Sequence, residues 1–209
     1  MRVSGDEAGG FVARRPRNNP PPYLLINRHP DCIPVPEHAL QKHMTKKRVA
    51  IGVTGASGQI YAQYIIRELL ANQAVETDIV FTDTARQVYP AETGAALPAG
   101  LIPNNTYYNR NASGSNAADV FIIIPCTMGT IGRIAAGTSD DLICRIADVQ
   151  LKERKRLIIV PRETPYSLIH LRNMTTLTEA GAIIAPASPS FYTNPKDLQE
   201  LIQNFTSRI

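Results

Sequence analysis

Tryptophan is absent from this 209-residue chain, aromatic residues make up only 6% of it, and cysteine occurs three times. Cys32, Cys126 and Cys144 are too few for a disulfide framework and match no zinc spacing, so a reducing, cytoplasmic setting is expected. No stretch approaches the roughly 18 consecutive apolar residues of a membrane-spanning helix. No secretory leader is expected, because residues 1–30 hold no apolar segment of the kind a leader needs. An organelle transit peptide fits Arg2, Arg14, Arg15 and Arg17 but not Asp6 and Glu7. Excess charge is confined to one end. The net charge is +4, yet residues 1–48 hold nine Lys/Arg against four Asp/Glu, and residues 49–209 hold thirteen against fourteen. A body so close to neutral argues against a nucleic-acid partner. What remains is a 44% hydrophobic chain, long enough for one α/β domain of roughly 100–200 residues with a sizeable core.

Two regions differ in composition. Residues 1–46 hold seven of the sixteen prolines, three of the four histidines and no hydrophobic periodicity. Such a segment buries too little surface to offset its ordering entropy, so an extended Pro/Arg-rich tail is expected. Met44, followed by Thr-Lys-Lys-Arg, could open a domain complete without it. Residues 47–209 are regular. Arg48–Val53 reads as a buried strand, 54–58 as a tight turn, and 59–71 as a helix with Ile60, Ile65, Ile66, Leu69 and Leu70 on its apolar side. A second strand spans Thr77–Thr82, a helix begins near Asp83, and 93–118 is loop-like. Val120–Pro125 is apolar on both faces, as a covered parallel sheet requires. Helices are expected at 127–136, 140–154 and 165–180, with strands at Leu157–Val160 and Ala182–Ala185. A last helix is expected to start with Asn194 as N-cap, Pro195 at its first position and Asp197 three residues after the cap. The alternation predicts a doubly wound, flavodoxin-like (Rossmann-like) three-layer α/β sandwich on a parallel sheet.

A glycine-rich turn between a strand and a helix offers outward-facing backbone N–H groups to an anion. Thr54-Gly-Ala-Ser-Gly58 is such a turn, but it is neither G-x-G-x-x-G nor a P-loop, and Gln59 breaks the G-x-S-x-G pattern. Tyr192-Thr-Asn-Pro-Lys196 mimics a dehydrogenase Tyr/Lys pair, which Pro195 rules out by interrupting the helix that pair needs. The pattern alone leaves a phosphate turn and a plain structural turn equally open.

Six ordered motifs narrow the choice: Thr54-Gly-Ala-Ser-Gly58, Ser113-Gly-Ser115, Pro125-Cys-Thr-Met-Gly-Thr130, Ala147-Asp-Val-Gln-Leu-Lys-Glu-Arg154, Pro161-Arg-Glu-Thr-Pro165 and Pro189-Ser-Phe-Tyr192. From about residue 47 to 209 this series resembles the UbiX family of flavin prenyltransferases. The resemblance implies bound FMN and a homo-oligomer, usually a dodecamer with sites between subunits. It implies transfer of a dimethylallyl group from dimethylallyl monophosphate to N5 and C6 of reduced FMN, the product serving a UbiD-type decarboxylase.

The same resemblance assigns residues. Gly55, Ala56, Ser57, Thr82, Thr127, Met128, Gly129, Thr130 and Arg162 would hold FMN, with Ser57 also near N5 as a proton relay. Read without it, Ser57 and Thr82 are ordinary helix caps. Ser113, Arg145, Lys152, Arg162, Tyr192 and Arg208 would hold the prenyl phosphate through charge-assisted bonds. In Lys152-Glu-Arg-Lys-Arg156 the resemblance selects Lys152 from what otherwise reads as a solvated helix end. Glu92 and Glu163 are the proton-handling carboxylates, a role that a raised pKa would suit. No metal is expected: Asp140-Asp141 is the single acidic pair of residues 49–209 and reads as a helix start. Cys126 is expected as a core residue and His170 as structural. Two rivals share the fold, namely an FMN-dependent cysteine-type decarboxylase and a non-catalytic FMN carrier.

Overall fold

The computed structural model describes residues 46–209, and the expectations for residues 1–45 lie outside the described residues. Six parallel strands form one sheet in the order β3-β2-β1-β4-β5-β6. They are β1 (Lys47–Val53), β2 (Val75–Phe81), β3 (Ile102–Pro103), β4 (Val120–Cys126), β5 (Arg156–Pro161) and β6 (Ile183–Ile184). The helices are α1 (Gln59–Ala71), α2 (Asp83–Thr93), α3 (Met128–Ala135), α4 (Leu142–Lys152), α5 (Leu168–Glu179) and α6 (Leu198–Thr206). Leaving out the two-residue edge strand β3, the order is the flavodoxin-like one, and it reverses between β1 and β4.

Side-chain alternation along β4 explains the three layers. Phe121 and Ile123 point into a core shared with Ile131, Leu142, Ile146, Leu157, Ile159 and Leu177, beneath α3, α4 and α5. Ile122 and Ile124 point the opposite way, to Ile51, Ile65, Phe81, Val160, Ile202 and Phe205 beneath α1, α2 and α6. The strand is thus apolar on both faces because both faces are covered. Each fully buried Ile or Phe contributes about 1.5–3 kcal/mol by leaving water. Among the described residues no helix is long and apolar enough to cross a membrane.

Expected and observed elements differ at their ends. The expected helix at 127–136 is Met128–Ala135 with Thr127 as cap, 140–154 shrinks to Leu142–Lys152 with Asp141 as cap, and 165–180 to Leu168–Glu179 with Ser167 as cap. The last helix starts at Leu198, capped by Asp197, and not at Pro195. Asn194 adopts a left-handed φ of 50° instead of capping. The 93–118 region contains β3 and two short 3-10 turns, Arg110–Ala112 and Gly114–Asn116.

Candidate functional site

The crevice beyond the carboxyl ends of β1 and β4, where the winding reverses, is where an open α/β sheet binds ligands. The 54–58 turn leaves β1 here and α3 starts here after β4. Thr54 joins them: its hydroxyl donates to the Pro125 carbonyl at 2.9 Å and accepts the Thr127 N–H at 2.8 Å. Buried Gln59 holds the turn from below, its Nε2 donating to the carbonyls of Thr54 at 2.8 Å and Ala56 at 2.6 Å. Neither glycine of the turn is replaceable. A side chain at Gly55 would collide with Thr84, and Gly58 has φ +96°. Gly55 is therefore fixed by packing, whatever it does for a ligand.

Three of the expected residues converge at this turn. Glu92, at the end of α2, accepts the N–H groups of Gly58 at 2.8 Å and Gln59 at 2.9 Å, and bonds the Ser57 side chain. Arg162, just past β5, donates from Nε to the Ser57 carbonyl at 3.0 Å. Burial pulls the Glu92 pKa upward, but the Gln59 donor, the Ser57 and Gly58 donors and the Arg162 charge outweigh it and hold it below the ordinary value. The raised pKa that would suit a proton-handling Glu92 is thus corrected: the carboxylate sits in a nest of donors. It occupies the start of α1, so the first amides of that helix already have an anion.

The start of α3 is different. Thr127 caps it, accepting the Thr130 N–H at 3.2 Å, and Gly129 faces open space. Of the remaining flavin candidates, Thr82 caps α2, accepting the Ala85 N–H at 3.1 Å, while Ala56 and Met128 are buried. An anionic or acceptor-rich group such as FMN suits this set: donors at the α3 start, a cation at Arg162 and glycine-lined space.

Apart from Arg162, the candidates for the prenyl phosphate do not join this cluster within one chain. Arg145 and Lys152 lie along α4, which runs back to the amino ends of the strands. Arg145 bonds the Ala112 carbonyl at 3.2 Å and Asp148 at 2.7 Å. Lys152 pairs with Glu153 and lies against Gly114, beside Ser113, whose hydroxyl is 3.1 Å from that of Ser115. Tyr192 is 78% exposed in the segment before α6. Asn204 donates to Thr193 at 2.9 Å, which ties the segment of Tyr192 to the last turn of α6, and Arg208 stands exposed just beyond that helix. Glu163 is exposed, accepting the Thr164 N–H at 2.9 Å. The candidates thus form three groups: Ser57–Glu92–Arg162, Ser113–Arg145–Lys152 and Tyr192–Arg208.

The structural expectations hold for His170 and Cys126. His170 completes a capping box on α5, its Nδ1 accepting the Ser167 N–H at 3.2 Å. Burial pushes the Cys126 thiol far up and the Cys144 thiol up to about 12, so neither is a ready nucleophile. Gln59 and Arg133 are the residues that sequence reasoning missed. Helical spacing from Thr130 (three residues to Arg133) was the one signal pointing to the latter.

A doubly wound α/β protein with a donor-lined crevice at its switch point defines a nucleotide- or flavin-binding class. Residues 37–207 match the family described as Flavoprotein. Flavin prenyltransferase LpdB of Lactiplantibacillus plantarum is 41% identical over 169 residues, covering 78% of this chain and 90% of that one. The crystal structure of AnUbiX in complex with FMN and dimethylallyl pyrophosphate superposes with a TM-score of 0.75 at 38% identity, covering 78% of this chain and 89% of that one. A dodecameric FMN-dependent UbiX-like decarboxylase from Escherichia coli gives a TM-score of 0.74 at 33% identity, covering 77% and 90%. The chain belongs to the flavoprotein family and, within it, to the UbiX-type flavin prenyltransferases.

Proposed function

We propose that this chain transfers a dimethylallyl group from dimethylallyl monophosphate to N5 and C6 of reduced FMN, making prenylated FMN for a UbiD-type decarboxylase. The observation that carries the reading is the convergence of Ser57, Glu92 and Arg162 at the switch point of a chain of this family. Reduced FMN, when bound, supplies the electron-rich ring that accepts the alkyl group. Arg162 and the donors at the start of α3 hold its negative charge and acceptor edges. Ser57, bonded to Glu92, is placed to move a proton at the ring edge, and Glu163 is a second carboxylate for the same purpose.

Departure of phosphate from the donor needs cations and a dry site. Arg145, Lys152, Tyr192 and Arg208, with Ser113, supply them in our reading, each from a copy other than the one providing Ser57. Assembly into a closed homo-oligomer, a dodecamer by analogy with the E. coli relative, then brings the three groups together. Side-chain cations do the neutralising, so transfer needs no metal. Incubation with reduced FMN and dimethylallyl monophosphate, followed by mass measurement of the extracted flavin, tests this. A flavin heavier by one dimethylallyl group is expected. An unaltered flavin in a metal-free, FMN-loaded sample overturns it.

A further inference from the structure

A chain of hydrogen bonds runs from the first turn of α3 to a partly exposed arginine held by two carboxylates. Thr127 Oγ1 accepts the Thr130 backbone N–H at 3.2 Å, and the two hydroxyls lie 3.0 Å apart. Arg133 Nη2 donates to Thr130 Oγ1 at 3.3 Å. The guanidinium is itself fixed, its Nη1 lying 2.6 Å from a carboxylate oxygen of both Asp140 and Asp141.

The direction of each proton follows from what these groups can do. Arginine has donors and no acceptor, so Thr130 Oγ1 accepts from it. Thr130 is 2% exposed, and a hydroxyl proton buried that deeply needs a partner. Among the described residues the acceptor found beside it is Thr127 Oγ1. Thr127 Oγ1 then accepts twice, from the Thr130 N–H and the Thr130 O–H, which uses both of its lone pairs. Its remaining capacity is its own hydrogen. Thr127 is half-buried beside the open space over Gly129, so that hydrogen is free to meet a ligand.

We infer that Arg133 is a positioning residue: through Thr130 it fixes Thr127 as a hydrogen-bond donor, and not an acceptor, toward an acceptor oxygen of bound FMN. The cation at the far end polarises both hydroxyls in the donating direction. The inference rests on the FMN reading of the site and adds to it a residue that never touches the flavin.

The test is titration with oxidised FMN, followed by quenching of flavin fluorescence, with melting temperatures recorded for each variant. Thr130→Val removes the middle hydroxyl at nearly constant volume. Arg133→Lys keeps a cation for Asp140 and Asp141 but has no second nitrogen to reach Thr130. Each should weaken FMN binding about five- to tenfold, since each removes one hydrogen bond's worth of affinity. The double variant should bind no more weakly than the weaker single one, because both changes break one relay. Arg133→Lys should melt close to the unaltered protein, and Thr130→Ser, which restores the hydroxyl, should recover FMN affinity. Unchanged affinity in both single variants, or losses that multiply in the double, overturns the relay alone. Failure of the unaltered chain to bind FMN overturns the proposed function, and the relay with it.

Discussion

Glu92 is held as a carboxylate by two backbone N–H groups, the Ser57 side chain and the charge of Arg162. A carboxyl whose folded pKa lies below its unfolded value stabilises the fold above the unfolded pKa, near 4.3 for glutamate, and that contribution fades as pH falls through the folded pKa. Glu92→Gln should therefore lower the melting temperature by a constant amount from pH 6 to 8. The gap should narrow below about pH 4.3, as the unaltered protein also loses its charge there. A gap that widens with acid would mean that the pKa is raised instead. Arg208 is a residue of the opposite kind, exposed and, among the described residues, in no ion pair. Reading it as a ligand of the donor phosphate, we expect Arg208→Ala to cost about 1.5–3 kcal/mol of donor binding, or one to two decades in the concentration needed for turnover. FMN affinity should stay within about twofold, because nothing links Arg208 to the Ser57–Glu92–Arg162 group. Steady-state kinetics in the donor and an FMN titration on the same variant separate the two phosphates.

At the scale of elements, the caps do most to set where the site residues stand. Asp141 caps α4 by accepting the Cys144 N–H at 2.8 Å, and it anchors Arg133 as well. Asp141→Ala should cost about 1–2 kcal/mol through the lost cap, which in a domain of this size is a fall in melting temperature of about 2–8 °C. A loss confined to FMN binding, with the melting curve unmoved, would contradict that structural role. The caps also show how far the sequence could be read. Strand and helix identities followed from the double-faced apolar runs at 48–53 and 120–125 and from helical spacing at 59–71, because burial on a covered sheet leaves so plain a pattern. The start of α6 did not follow. Asn194-Pro195 and Asp197 both look like a cap, and only the backbone, left-handed at Asn194, decides for Asp197 and its bond to the Glu200 N–H at 2.8 Å. Strand β3 pairs through only two residues, too short a run for any period to register. In the site, the motifs pointed to Ser57 and Arg162 and the family resemblance to Glu92 by its position, but the nest of donors around Glu92 needed coordinates. It joins residues more than thirty positions apart, and it reversed the expected direction of the pKa.

At the scale of the whole molecule, the issue is that one chain does not gather its own candidates. Ser57, Glu92 and Arg162 stand at the carboxyl ends of the strands, while Lys152 and Ser113 stand at the amino ends beside Gly114. Residues 1–46 supply none of these groups, so a chain beginning at Met44 should keep its transferase activity, measured by the mass of the extracted flavin. Its inactivity with FMN still bound would assign part of the site to the removed segment. The separation of the groups leads to a sharper expectation. If each site takes Glu92 from one copy and Lys152 from another, Glu92→Gln and Lys152→Ala chains are each inactive alone but complement each other in a mixed assembly. With random association of equal amounts, about a quarter of the sites would carry both natural residues and regain activity. If instead both residues served the same site from one chain, every site in the mixture would keep one defect and no activity would return. Dissociating and reassembling the two variants together, with each reassembled separately as a control, measures the difference directly. Recovery near a quarter of the unaltered rate would show that the catalytic unit is the contact between subunits, and none at all would return the whole site to a single chain.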